Sequence, residues 1–188
     1  MGVELKLPPL NLTGPDWANM PLNERVLHIA AQEADVYHTA ELPKYSNSGP
    51  RVDAMLRSAR CAPGNPWCAA FVTWCCLHSG WDPYGEVPGS GVMYPASVVS
   101  WVAWAKRTLR LKSGSPQRGD LFFFDRAGET HIGFVSEVND HDLGTIEGNT
   151  NCDGSADGYE VARRVRAIHS PTGFITLRDI SRGGASSK

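Results

Sequence analysis

Four residues of this chain have the types and order that covalent catalysis needs: Cys68, His131, Glu147 and Asn149. A thiolate can attack a carbonyl carbon, an imidazole can take and return the proton, and a carboxylate or amide can hold the imidazole in place. Cys68 opens the run CAAFVTWCCL, directly after Gly64-Asn65-Pro66-Trp67. That run is apolar on nearly every side, the mark of a helix buried in the middle of its domain. A cysteine in its first turn lies beside orphan amide N–H groups and the positive end of the macrodipole. Such a place favours the thiolate. Cys75 and Cys76 lie deeper in the helix and read as inert core. Cys61 and Cys152 read as loop residues, and a disulfide between them is left open.

The base must come from the six histidines. His28 and His78 lie on expected helices, His38 follows one, His141 falls in a turn and His169 near the last loop. His131 opens the segment HIGFVSEV after the loop 126–130, at an expected sheet edge where a side chain can face a cleft. The next strand ends in TIEGNTN. Glu147 and Asn149 share a side-chain parity, with Gly148 between them, and so point to one face. If the two strands pair as a hairpin, either residue can reach the far nitrogen of His131. Each also has a plainer reading: His131 as structural, Glu147 as a solvated strand-end carboxylate, Asn149 as a turn former. It is the activated cysteine upstream that shifts the balance to chemistry.

The elements that must position these residues follow from periodicity. Asn23 to about Tyr37 reads as an amphipathic helix with Asn23 as its N-cap, and Arg51 to Arg60 as a second, short one. The buried helix runs from Trp67-Cys68 to Ser79 and stops at Gly80. Ala96 to Arg107 reads as a fourth helix, after the long loop 81–95, rich in Pro and Gly, a kind of loop that is often functional. Beyond Gly114 the texture is that of strands: 118–125, 131–138, 143–147, 159–168 and 173–177. Their spacing suggests an antiparallel meander. Helices first and strands afterwards make the class α+β, with one core. The domain is expected at 23–178, between an N-terminal arm, 1–22, and a flexible C-terminal tail, 179–188.

At 188 residues the chain is long enough for one domain with a substantial core. A net charge of −2 gives no basic field for nucleic acid or an anionic membrane. There is no apolar run long enough for a membrane span and no CxxC pair for zinc or thioredoxin-type chemistry. The N-terminus lacks the pattern of a signal peptide. The expectation is therefore a protein made in the cytoplasm that reaches any site outside it by non-classical delivery, through a secretion system or lysis.

PWCAAFVTWC, RGDLFFF, HIGFVSEV and TIEGNTN, in that order, resemble the CHAP-domain group of the NlpC/P60 papain-like superfamily. The likeness runs from about Asn23 to Leu177. It implies a papain-like α+β fold, with N-terminal helices packed on a C-terminal antiparallel sheet, and cleavage of an amide bond in peptidoglycan. It also implies Cys68 as nucleophile, His131 as base, and Glu147, with Asn149, as the orienting group. Both N-acetylmuramoyl-L-alanine amidases and peptide endopeptidases use such a set. Asn65 and Trp67 border the nucleophile and are candidates to line the substrate cleft, with packing an equal reading for Trp67, and Tyr84 and Tyr94 in the long loop are further candidate contacts. Some phage-lysin CHAP domains bind calcium before the cysteine. Here the stretch 45–65 holds Asp53 as its sole acid, so no metal and no other cofactor is expected. The partner is the peptidoglycan substrate. An antibacterial effector with an immunity protein or a secretion-machinery partner, a phage lysin, and a non-catalytic wall-binding module on the same fold remain alternatives.

Overall fold

A computed structural model describes residues 7–13, 16–112, 114–126, 128–151, 158–178 and 180. Four helices precede six strands, as the order of sequence patterns requires. The helices are α1 (Leu22–Asp35), α2 (Pro50–Ser58), α3 (Cys68–His78) and α4 (Val98–Arg107). The strands are β1 (Leu111–Lys112), β2 (Leu121–Arg126), β3 (Glu129–Val138), β4 (Asp142–Thr150), β5 (Glu160–Ala167) and β6 (Gly173–Ile175). All pair antiparallel in the order β1-β6-β2-β3-β4-β5. The meander expectation holds for β2 to β5. It fails for β6, which returns to the far side of β2 and pairs there with the two-residue β1. Cys152 and the tail 181–188 lie outside the described residues.

Alternation along the strands gives the sheet two apolar faces. Leu121, Phe123, Ile132, Phe134, Ile146, Val161 and Ile175 join the helices in the main core. Phe122, Phe124, Val135, Leu143 and Phe174 form a second, smaller cluster on the other face, where the sequence suggested a single core. In α3, Cys68 to Thr73, Cys75 and Cys76 are buried, as an all-apolar helix must be. Burial pushes the thiols of Cys75 and Cys76 up, so both stay protonated.

Helix α1 begins one residue before the expected cap. Pro21 is its N-cap, and Asn23 is buried inside the first turn, its Nδ2 donating to the Arg118 carbonyl. Buried Glu33 of α1 ties the helices together. It accepts from Arg51 of α2 at 2.6 and 2.7 Å, from Trp74 of α3 at 2.8 Å, and from Thr39 at 2.6 Å. The arm docks on α1: the Asn11 amide donates to Gln32 Oε1, and Tyr37 donates to the Pro9 carbonyl.

The long loop is largely structural. Trp81 packs against Trp101 and Trp104. Tyr84 donates to the Ser58 carbonyl and lies under the Arg60 guanidinium. Tyr94 is exposed.

Candidate active site

Cys68 stands at the first position of α3, with Trp67 as N-cap. Among the described residues no side chain caps this helix end, so its first amide N–H groups keep the donor capacity that helix starts carry. Trp67 is fully buried, and its indole Nε1 donates to Glu41 Oε1 at 2.8 Å. The other Glu41 oxygen accepts from the Asn47 amide. The expectation that Trp67 lines a substrate cleft is thus corrected. Its apolar rings and its N–H are both consumed in anchoring the turn before Cys68. Asn65 is exposed and folds back on the Ala62 carbonyl.

His131 lies on β3, an interior strand paired to β2 and β4, and is 1% exposed. The anticipated sheet-edge position is incorrect. The register sets His131 opposite Phe124, on the face of the second cluster. Its Nε2 is 2.8 Å from Glu147 Oε2. A carboxylate can only accept, so Nε2 carries the proton. Nδ1 is buried with no hydrogen-bond partner, which leaves it as the nitrogen open to Cys68. Burial lowers the His131 pKa, but the influence of Cys68 and of the Glu147 carboxylate outweighs it and raises the value to about 9.

The β3–β4 hairpin delivers Glu147, as expected. Phe134 pairs with Ile146 and Val135 with Thr145, so Glu147 follows on opposite Gly133. The missing side chain there gives the carboxylate its path to His131. A Cβ on Gly133 would lie 3.0 Å from Glu147 Cγ and 2.8 Å from the Phe122 ring. Gly148, on the opposite face, lets β4 press against α3: a Cβ there would lie 2.7 Å from Phe71 Cβ and 2.9 Å from Trp67 Cζ3.

Asn149 does not keep the parity it shares with Glu147 in a regular strand. An irregularity in the β4–β5 register falls between Glu147 and Thr150, and Asn149 takes φ 57°. Its side chain is buried with Oδ1 unpaired, and no described hydrogen bond joins it to His131.

Two residues complete the environment of Glu147 that the sequence did not reveal. Thr145 donates to Oε1 at 2.5 Å, and Arg166 of β5 donates through Nε to Oε1 and through Nη2 to Oε2, both at 2.6 Å. Burial would raise the Glu147 pKa, but the bonds and charges of Arg166 and His131 bring it down to about 2. Thr145 was discoverable, since it shares the parity of Glu147. Arg166 was not: it sits opposite Leu143, two side chains along the face, and only the register places it within reach.

The set can do nucleophilic chemistry: a thiol, an imidazole fixed in one tautomer, and a carboxylate held ionised. Among the described residues no cluster of His, Cys, Asp or Glu could hold a metal ion. Asp53 serves α2 instead, accepting from Ser48 Oγ and the Gly49 amide. A separate open concavity of about 660 Å³, bordered by Arg118, Glu137, Arg163 and Arg178 among others, contains no site residue. Two of its arginines are already paired, Arg118 with Glu24 and Arg163 with Asp35. Among the described residues no helix is long and apolar enough to cross a membrane.

In comparisons with known proteins, no curated protein and no solved structure matches this chain. One family model does, described as the CHAP domain, over residues 61–149. The matched span begins just before the α3 turn and ends at Asn149, so it includes Cys68, His131 and Glu147. The four helices and the antiparallel sheet agree with the papain-like α+β fold of that family. The chain is a CHAP-domain protein.

Proposed function

We propose that the protein is a cysteine peptidoglycan hydrolase that cleaves an amide bond by acyl transfer. The family match supports the substrate class and hydrolysis. The observation that carries the mechanism is the buried His131–Glu147 pair, with Nδ1 left open to Cys68. The Cys68 thiolate attacks the amide carbonyl carbon. The backbone N–H of Cys68 receives the developing oxyanion, a contact worth about 2.7–4 kcal/mol in the transition state. The Nδ1 proton of His131 passes to the leaving nitrogen as the C–N bond breaks. The same nitrogen then takes a proton from water, whose oxygen displaces the thiolate and releases a carboxylate. Glu147 stays ionised throughout and holds the ring.

The test uses purified sacculi and mass spectrometry of the soluble products. Glycan freed of its stem peptides identifies an amidase, and muropeptides cut within the stem identify an endopeptidase. Cys68→Ala is expected to lower turnover by about 10⁴-fold or more, as removal of a nucleophile does elsewhere, while sacculus binding persists. A Cys68→Ala variant as active as the parent would sink the proposal, and sacculi bound but left intact by the parent would favour a non-catalytic wall-binding module.

A further inference from the structure

Arg166 lies outside the family-matched span and outside the set of Cys68, His131 and Glu147. Its side chain is 14% exposed. Its guanidinium lies 5.4 and 5.0 Å from the ring centres of Phe122 and Phe124. From that platform it forms the two parallel hydrogen bonds to Glu147, a fork geometry that lysine cannot supply.

The charges of the site require such a group. A catalytic thiolate, an imidazolium and a buried carboxylate sum to one uncompensated negative charge, and buried net charge is costly. Arg166 brings the sum to zero. The groups concerned come from every element packed there. His131 on β3 and Arg166 on β5 are the charges that act on Glu147, and Cys68 on α3 and Glu147 are those that act on His131. Thr145 adds a neutral donor. Arg164, the neighbouring arginine on the same face of β5, is turned to the Thr150 hydroxyl and the Asn151 carbonyl.

We infer that Arg166 is a positioning residue of the active site, which fixes Glu147 in its orienting pose and neutralises the cluster so that the thiolate–imidazolium pair forms at working pH. The inference rests on the hydrolase reading for its purpose, but its first test does not need peptidoglycan. The rate of Cys68 alkylation by iodoacetamide is measured against pH, with Cys68→Ala as the blank for the other cysteines. In Arg166→Gln the lost cation makes the cluster hold its protons more tightly. The alkylation profile is expected to move to higher pH by about one unit, a tenfold change in proton affinity. Arg166→Lys, which keeps the charge but not the fork, is expected to return most of that shift while leaving sacculus turnover below that of the parent.

An Arg166→Gln profile that coincides with the parent's would overturn the inference, as would a uniform loss of rate with no movement along the pH axis. If Arg166→Gln does not fold, Arg166→Lys decides by turnover: a rate equal to the parent's would overturn the fork's role. Failure of the hydrolase reading shows differently, as inert sacculi with the alkylation shift intact.

Discussion

Glu147 is wholly buried, yet accepts hydrogen bonds from Thr145, His131 and Arg166. Such a carboxylate makes stability depend on pH through itself and through His131. The His131 pKa is raised from 6.5 to about 9, so its contribution is complete below 6.5 and is lost as pH rises through 9. The Glu147 pKa is lowered from 4.5 to about 2, so its contribution is complete above 4.5 and is lost as pH falls through 2. Both are whole between pH 4.5 and 6.5. Calorimetric melts across pH are expected to show the parent losing more Tm from pH 6.5 to 9 than His131→Gln does. Parallel curves on the alkaline side would show that His131 is not held by these partners.

At the scale of elements, the site is a junction between one helix start and one hairpin, and two glycines set its spacing. Gly133 clears the path of Glu147 along the sheet, and Gly148 lets β4 close on α3. Gly148→Ala puts a methyl group against Phe71 and Trp67, both wholly buried. Overpacking of this kind costs about 1–3 kcal/mol, to be read from urea unfolding. It also moves the Cys68 turn away from His131, and a displacement near 1 Å costs about 10²-fold in rate. Normal turnover by the folded fraction of Gly148→Ala would mean that the junction tolerates slack.

For the whole molecule, two buried carboxylates outside the site organise the half that carries Cys68. Glu41 fixes Trp67, and Glu33 joins α1, α2 and α3 through Arg51 and Trp74. Arg51→Met leaves Glu33 buried without its cation. Breaking a buried pair in this way costs about 3–5 kcal/mol. Chemical denaturation is expected to show that loss, with kcat and KM per folded molecule unchanged, because Arg51 touches none of Cys68, His131 or Glu147. A change in KM with stability intact would instead place Arg51 at the substrate.

The sequence by itself determined the class of fold and the elements to within a few residues, and it singled out Cys68, His131 and Glu147 as the candidate set. Those features rest on local physics. An all-apolar run buries itself, alternation marks a strand, and a hairpin brings residues of adjacent strands together. Tertiary structure alone decided the remainder. The return of β6 to the far edge of β2 reflects long-range pairing, which no local pattern encodes. The burial of Trp67 depends on a carboxylate 26 residues away. That Glu147 bonds His131 while no described hydrogen bond joins Asn149 to it goes with an irregularity in the strand, where Asn149 leaves the parity it shares with Glu147 in a regular strand. Arg166 reaches Glu147 through a register of β5 on β4 that several slips could replace in the sequence, and only the folded sheet selects the one that brings the fourth charge to the site.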